Sequence, residues 1–412
     1  MKAVLVSSKY PPEYSGSGLR AHNTHLRLKH KFGVETEVIC SSTEFFSPLN
    51  YVQDGLKVSR VLSPILRKTH SINRGRFLSR VTQAAIFKLE MNSVTRLLEG
   101  KSFDVLHVFG YSPATMAAIQ WARVHKIPLM RELVNVVQSP YQYPPRRAND
   151  KNFEFPNQSV VVAISSKLGE ICENVGLSEN VWVRPNPVDL ERFRYATKVE
   201  KIEARSRLTP FSEKDTVLVF VSKFRGSKNH SFLLDVLKLL PENYKLLLAG
   251  PPSDPSDPVP GLTTSQIESL VSVAESKGMH GRLFVKPGFV NAADYMRTGD
   301  IFCMPAEKEG LGTPLLEALV SGLPVVANHA ESNFREWITD GQNGFLRSLS
   351  ASCWADAIIK TTMFSDLDRK AMSDHVRDAV SSERIDEQYY ALLSALCKTP
   401  SGKTISVADV LR

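Results

Sequence analysis

The sequence predicts an α/β protein with two successive doubly wound domains, each built around a parallel sheet. Three observations predict this fold. The chain has 412 residues, which is too long for one ordinary hydrophobic core. Short apolar runs rich in valine and isoleucine alternate with longer amphipathic stretches, as in βαβ units. The alternation pauses over residues 184–215, which are polar and punctuated by prolines, and then starts again.

The expected elements follow this alternation. In the first half, strands are expected at 3–7, 34–40, 104–109 and 159–164, with helices at 19–30 and 114–126. In the second half, strands are expected at 216–222, 244–250, 282–288, 300–305 and 323–327. We therefore expect a first domain over 1–190, a linker near 187–210, a second domain over 191–380, and a helix and tail over 381–412. Ligands of such sheets bind beyond the carboxyl ends of the strands, and a crevice between domains is a favoured place.

Composition indicates a soluble, cytoplasmic protein. Hydrophobic residues make up 42% and charged residues 23% of the chain, as in globular proteins. No apolar run approaches the roughly 20 residues that span a bilayer, and the start, "MKAVLVSSKYPPE", is typical of a buried first strand. The five cysteines are scattered without a C-x-x-C pair, so neither a disulfide framework nor a zinc site is indicated.

The net charge of +8 favours an anionic partner: phosphate, nucleic acid or a membrane surface. Residues 60–80 carry six basic side chains and no acid: Arg60, Arg67, Lys68, Arg74, Arg76 and Arg80. A solvated basic loop is the favoured interpretation, and peripheral contact with the anionic inner face of a membrane is the alternative. Nucleic acid is not expected, because no recognition module is present.

The segment "EKEGLGTPLLEALVSGLPVVA" (307–327) predicts a helix that begins beside two carboxylates. Thr313 and Pro314 suit a helix start, with Thr313 able to cap, and Gly322 suits its end. Unpaired N–H groups near such a start bind anions. Glu317 leans toward this start and Glu309 precedes it, so both can accept hydrogen bonds from hydroxyl groups flanking a bound phosphate.

That combination fits a nucleotide sugar. The alternative is that Glu317 is an ordinary first-turn acid and Glu309 an exposed loop residue.

Residues 307–346 resemble the E-x7-E region of the retaining GT-B nucleotide-sugar glycosyltransferases (family four, "group 1"). The matching motifs are Glu309–Gly312, Leu316–Ala318, Gly322–Val326 and Asp340–Gly344. Weaker likeness extends over residues 11–18, 185–193 and 219–229, where Pro187 and Ser222 replace the usual glycines and Lys223 the usual arginine. The resemblance implies a GT-B fold, two Rossmann-like domains facing an interdomain cleft, with the C-terminal helix crossing back to the first domain.

The resemblance also implies site roles. Lys223 and Lys228 would hold the donor diphosphate and stabilise its developing charge, without a metal or other cofactor. Glu309 would hold the donor sugar's hydroxyls, and Glu317 the ribose hydroxyls. Backbone N–H groups would come from the turn, namely Gly310, Leu311, Gly312 and Thr313.

Four further features of the site follow from the resemblance. The base would lie near Pro287–Val290. Gly16, in the first domain's loop, would approach the donor phosphates, and Glu132 would face the acceptor. The departing phosphate would serve as the base, so that no protein base is required.

Three rival patterns are weaker. "GSGLRA" (16–21) satisfies a dinucleotide-binding pattern but does not follow its strand directly. "DLD" (366–368) matches a metal-binding pattern but opens a polar helix, where acids are common. His22 and His25 share a helix face with no third metal ligand indicated, so structural histidines are expected.

The sequence therefore predicts a retaining, metal-independent hexosyltransferase that uses a nucleotide-sugar donor and a saccharide or lipid-linked acceptor in polysaccharide or glycolipid biosynthesis. A non-catalytic nucleotide-sugar-binding protein of the same fold is the alternative.

Overall fold

The structure is a computed structural model that describes the chain except residue 14 and residues 43–45, 64–75, 135–157 and 254–260. For residues 76–84 it describes the backbone alone. The chain divides into two compact units. The first contains Met1–Arg184 and Glu383–Arg412, and the second contains Pro185–Ser382.

The first unit contains an eight-stranded sheet in the order β3-β4-β2-β1-β5-β6-β7-β8. All neighbouring strands are parallel except β3 and β4. The strands are β1 (Lys2–Ser7), β2 (Glu35–Ser42), β3 (Asn50–Gln53), β4 (Leu56–Leu62), β5 (Val105–Phe109), β6 (Leu129–Leu133), β7 (Ser159–Ala163) and β8 (Val181–Val183).

The second unit contains a six-stranded parallel sheet in the order β11-β10-β9-β12-β13-β14. Its strands are β9 (Thr216–Val221), β10 (Tyr244–Gly250), β11 (Leu283–Pro287), β12 (Ile301–Met304), β13 (Val325–Asn328) and β14 (Gly344–Arg347). Because β9 and β12 are adjacent and parallel, the loops that follow them meet at one edge of the sheet.

Helices cover these sheets. In chain order, the described α-helices are α1 (Gly16–Phe32), α2 (Arg76–Glu99), α3 (Pro113–His125), α4 (Ser166–Glu173), α5 (Lys198–Leu208), α6 (Phe232–Leu239), α7 (Thr264–Ser276), α8 (Ala292–Arg297), α9 (Thr313–Val320), α10 (Ala351–Lys360), α11 (Asp366–Val380), α12 (Ser382–Lys398) and α13 (Val407–Val410). The expected fold class, two Rossmann-like units with parallel sheets, is confirmed.

The helix α12 packs into the core of the first unit. Tyr389 and Leu392 are fully buried in one apolar cluster with Val105 of β5 and Val160 of β7. Burying such side chains contributes roughly 1.5–3 kcal/mol each, so the helix is held by its apolar stripe. Gln158 adds a polar contact, its side-chain amide donating 2.8 Å to the carbonyl of Leu396.

The prediction of a linker near 187–210 is wrong for residues 198–208. Helix α5 occupies residues 198–208 of the second unit, with a capping box in which Thr197 and Glu200 exchange hydrogen bonds. The T-x-x-E pattern was a readable start signal. The apolar pattern of this helix is weak because only Ala204 and Arg205 in it are buried, and for that reason the segment resembled a linker.

Candidate functional site at the carboxyl edge of the second sheet

Two predicted site residues meet at this edge. Lys228, in the short turn after β9, places Nζ 2.6 Å from Oε1 of Glu309, in the loop after β12. The side chains are 12% and 15% exposed, so the pair is shielded from most of the solvent without being sealed from it. The two loops are also joined by their backbones, since the N–H of Glu307 donates 2.8 Å to the carbonyl of Ser227.

The loop that carries Glu309 is held by polar side chains that follow β13. The Glu331 carboxylate accepts from the N–H groups of Lys308 and Glu309, at 2.7 and 3.1 Å. The Asn333 amide donates 2.6 Å to the carbonyl of Glu309. Lys308 has a φ of 61°, an unusual value for a lysine, and the carboxylate of Glu331 stabilises that conformation. Sequence reasoning missed Glu331 and Asn333, and their only signal was an acid and an amide directly after a strand.

The turn before α9 requires glycine at position 312. Gly312 has a φ of 82°, and a Cβ there would lie 2.7 Å from Cε1 of Phe334 and 3.2 Å from Cε of Met304. The helix begins at Thr313, with Gly312 as its capping residue. The expected capping by Thr313 is therefore wrong. Its Oγ1 instead accepts a 2.7 Å hydrogen bond from the Asn186 amide, which ties the 185–193 segment to the helix start.

Glu317 lies in the second turn of α9 and is partly buried. Burial raises the pKa of its carboxyl group to about 7, and the positive charge of Arg192 opposes that shift. The charge on Glu317 is therefore sensitive to pH changes near neutrality. Such a carboxyl group gains more than an exposed one from hydroxyl donors that favour its ionised form.

The replacement of the family's glycine by Ser222 has a local explanation. Ser222 Oγ lies 3.0 Å from Nε2 of the buried His230. Burial, reinforced by the charge of Lys228, lowers the pKa of His230 to about 3, so its imidazole is neutral. The ring stacks on Phe224 with centroids 4.2 Å apart, which makes a packed base for the loop. Lys223 is half-buried in the same loop.

Gly16 belongs to the first unit, and its position in the secondary structure differs from the expected one. It is the exposed first residue of α1, and it lies at the helix start instead of in the preceding loop. Ser15 caps this helix, its Oγ accepting from the N–H of Gly18 at 3.2 Å. Gly18 is the glycine that packing requires, because a Cβ there would lie 2.3 Å from the carbonyl oxygen of Lys9. The predicted contact of Gly16 with the donor phosphates stays a prediction.

Glu132 lies in the interior of the first unit, not at an acceptor-facing surface as expected. It is fully buried, and its Oε2 accepts from Arg184 at 2.9 Å. His107 Nε2 lies 3.4 Å from Oε1, and the Tyr389 hydroxyl donates to the same oxygen. Burial alone would raise the pKa of Glu132, but Arg184 and His107 outweigh it, and the pKa lies below its ordinary value. These contacts occupy the carboxylate.

Asp368, His22 and His25 of the rival motifs form hydrogen bonds within the fold. Asp368 of the D-x-D belongs to the capping box of α11: its Oδ2 accepts from the N–H of the capping residue Ser365 at 2.8 Å. His22 is hydrogen-bonded to Tyr10 and Asp54, and His25 to Thr36 and His107.

Two other predicted regions are described only in part. Of the six basic residues between 60 and 80, the structure describes the side chain of Arg60 alone. It is buried, with Cζ 4.7 Å from the centroid of the Tyr51 ring. The other five side chains lie outside the described residues.

In the part of the chain that the structure describes, no helix is long and apolar enough to span a bilayer. Near the expected base site, Gly288 has a φ of 107° and Phe289 is exposed.

Comparison with known proteins relates part of the chain to one enzyme family. Residues 201–367 match the family described as glycosyl transferases group 1, which confirms the family resemblance over this segment. A capsular polysaccharide biosynthesis glycosyltransferase, CapH of Staphylococcus aureus, is 26% identical over 36% of this chain and 41% of its own length. The chain thus spans less than half the length of this relative. TuaC of Bacillus subtilis, a putative teichuronic acid biosynthesis glycosyltransferase, is 22% identical over 87% of this chain and 89% of its own length.

Solved structures share the fold. Anabaena HepE in complex with UDP and glucose superposes with a TM-score of 0.72 at 17% identity, over 96% of this chain and 100% of that chain. Sucrose-phosphate synthase from Thermosynechococcus elongatus superposes with a TM-score of 0.74 at 16% identity, over 96% and 98%. At such identities the likeness shows the fold alone.

Proposed function

From the group 1 glycosyltransferase segment at residues 201–367, we propose that this protein transfers a sugar from a nucleoside-diphosphate sugar to a hydroxyl acceptor with retention of configuration. The observation that carries the proposal is the contact between Lys228 and Glu309 beside the start of α9. It joins a cation suited to phosphate with a carboxylate suited to sugar hydroxyls. Both are partly exposed, so a ligand can reach them.

Leaving-group stabilisation is the first task of the proposed site. As the sugar departs, negative charge grows on the diphosphate. Lys228, Lys223 and the N–H groups at the start of α9 lie at the same edge of the sheet, and in this proposal they stabilise that charge. We propose that these groups act without a metal ion. In this scheme the departing phosphate accepts the proton of the acceptor hydroxyl, as the family resemblance implies.

Orientation of the donor is the second task. Glu309 accepts hydrogen bonds from the sugar hydroxyls, and Glu331 and Asn333 fix the backbone that carries it. Glu317 accepts from the ribose hydroxyls, which favours its ionised form and releases a proton when the donor binds near neutral pH. A well-oriented donor lowers the entropy cost of transfer.

The substrates are proposed by analogy. Solved structures of HepE contain UDP or UDP-glucose, so a uridine donor is the first to test. The names of CapH and TuaC refer to surface polysaccharides. We propose a saccharide or lipid-linked saccharide acceptor, and a cytoplasmic location with peripheral contact to an anionic membrane as an arrangement to be tested.

The first experiment measures thermal stabilisation by UDP, GDP, ADP, TDP and NAD, each with EDTA and with magnesium. A nucleotide at a hundred times its dissociation constant stabilises the folded protein by about 2.7 kcal/mol. We expect one nucleoside diphosphate to shift the unfolding temperature equally with and without magnesium, and Lys228→Ala to reduce the stabilisation to about half or less at the same nucleotide concentration. No shift with any diphosphate would contradict the donor site.

The second experiment separates the enzyme from a binding protein of the same fold. The protein is incubated with the nucleotide sugar that binds, and released nucleoside diphosphate is measured with saccharide and lipid-linked acceptors. An enzyme releases it by transfer or slow hydrolysis, and we expect Glu309→Gln to slow the release about 100-fold. Tight binding without release under any acceptor would favour the non-catalytic alternative.

A further inference from the structure

A cavity of about 320 Å³ lies wholly within the second unit, at the amino ends of the strands. Its wall includes Thr216, which begins β9, Asp300, which immediately precedes β12, and Leu323, which precedes β13. Lys228 and Glu309 follow the carboxyl ends of β9 and β12, so the two sites lie at opposite edges of one sheet. The volume is that of a small-ligand pocket.

Positive charge predominates in this cavity. Of its lining residues, four are acidic and six are basic, namely Lys198, Lys201, Arg205, Lys214, Arg297 and Arg369. Three of the six converge on Asp300. Lys201 Nζ lies 2.9 Å from its Oδ1, Arg205 donates to Oδ2, and Arg369 donates 2.7 Å to its backbone carbonyl.

Lys201 and Arg205 face the single carboxylate of Asp300, whereas Arg369 contacts only its backbone and is also influenced by the charge of Asp366. The six basic and four acidic lining side chains leave a formal surplus of two positive charges, which attracts an entering anion.

Two helix starts add to this potential. Lys198 is the first residue of α5 and Asp366 the first residue of α11, and both line the cavity. Both helices exceed ten residues, and the N-terminus of such a helix carries a partial positive charge, which the first-turn acids Glu200, Asp366 and Asp368 partly offset. The cations and the two helix starts therefore favour the same kind of ligand.

The end of α9 also lines the cavity, and its carbonyl groups would oppose an anion if they were free. They are occupied. The carbonyl of Glu317 accepts from the N–H of Ser321 at 3.1 Å, and that of Ala318 accepts from the N–H of Leu323 at 3.0 Å. The Ser373 hydroxyl donates to the carbonyl of Val320. The carbonyl groups at the C-terminus of this helix thus have hydrogen-bond donors within the protein.

We propose that this cavity binds a small phosphate-bearing molecule, a phosphate monoester or free phosphate. Phosphate provides the charge and the acceptor oxygens that lysine and arginine side chains match. The charged side chains in the lining and the volume favour a compact, charged ligand. The proposal does not rest on the transferase activity, because no residue of the candidate donor site lines the cavity.

The test is a calorimetric titration of the full chain with inorganic phosphate and with a hexose 6-phosphate, at constant ionic strength. Three variants are compared with the unmodified protein. Lys198→Glu with Lys214→Glu reverses two exposed cavity charges. Lys238→Glu with Lys360→Glu makes the same change in net charge at exposed positions outside the cavity. Lys228→Ala removes the proposed phosphate contact of the donor site.

We expect one phosphate per chain, with affinity weakened about tenfold or more by the cavity variant and little changed in the other two. Tighter binding of the hexose phosphate would identify an ester as the ligand class, and equal binding would identify phosphate itself. Absence of binding overturns the proposal. So does binding that requires Lys228, or binding that the cavity variant leaves intact while its unfolding temperature matches that of the unmodified protein.

Discussion

Lys228 Nζ lies 2.6 Å from Glu309 Oε1, so the residue proposed to bind phosphate and the residue proposed to bind the sugar form an ion pair. Lys228 neutralises the negative charge of Glu309, which lies close to where a diphosphate is proposed to bind. Without the lysine, the same carboxylate would repel that anion. The two residues therefore act as a unit, and their effects on binding are not additive.

This relationship predicts a specific order of UDP affinities. Lys228→Ala should weaken UDP binding about tenfold or more, because a cation is lost and Glu309 becomes repulsive. The double variant Lys228→Ala/Glu309→Gln should bind UDP more tightly than Lys228→Ala alone. Glu309→Gln alone should retain UDP affinity and lose about 100-fold in turnover. Calorimetry and transfer assays measure both quantities, with Lys238→Ala as a surface control. Additive affinities would refute the coupling.

The raised pKa of Glu317 predicts a pH-dependent stability. Its folded-state pKa of about 7 lies above the ordinary glutamate value of roughly 4.3, so between these values the folded protein binds more protons than the unfolded chain. The free energy of unfolding should therefore fall as pH rises through this window. Replacing Glu317 by Gln should stabilise the protein at pH 8 relative to pH 5 by on the order of 1–3 kcal/mol.

Urea unfolding of both proteins at pH 5 and pH 8 measures this effect. A difference between Glu317→Gln and the unmodified protein that stays constant with pH would show that the carboxyl group titrates normally.

Glu331 is predicted to act as a positioning residue. Its two oxygens accept from the backbone N–H groups of Lys308 and Glu309, and a glutamine would turn one of these contacts into a donor facing a donor. We expect Glu331→Gln to lower kcat about tenfold, with a smaller change in the donor KM, because the orientation of Glu309 is lost. Glu268→Gln, at an exposed position on α7, is the control. An unchanged kcat would remove Glu331 from this role.

The glycine before α9 predicts a graded loss of stability. Gly312→Ala should destabilise the second unit by about 2–4 kcal/mol, the sum of left-handed strain and overlap with Phe334. Gly341 has a similar φ of 78° but open space around it, so Gly341→Ala should cost only about 1 kcal/mol. Chemical unfolding compares the two variants. Equal losses would mean that the contact with Phe334 relaxes at little cost.

The burial of Glu132 predicts a structural role. Glu132→Gln should lower the free energy of unfolding by about 3–5 kcal/mol, because Arg184 would be left as a buried charge without its counter-ion. UDP affinity should not change, since the proposed nucleotide site lies in the other unit. The exposed Glu99→Gln, measured in the same unfolding experiment, is the control. A stable variant with a raised acceptor KM would restore the acceptor-facing interpretation.

Local patterns in the sequence determined the two α/β units, the helix over 313–320, and the motif that relates residues 201–367 to the group 1 transferases. These features were readable because apolar periodicity and glycine placement depend on neighbouring residues. The hairpin of β3 and β4 has a local signal as well, the Asp54-Gly55 pair, and both residues of that turn have positive φ values.

Only the tertiary structure decided the rest. The contacts of Lys228 with Glu309, and of Glu331 with the loop at 308–309, arise because neighbouring parallel strands bring distant loops to one edge. The burial of Glu132 depends on Tyr389, from a helix near the far end of the chain. The charged cavity at the opposite edge likewise combines α5, α8 and α11. Such contacts depend on which elements pack together, and a short stretch of sequence does not indicate which distant residues it will contact.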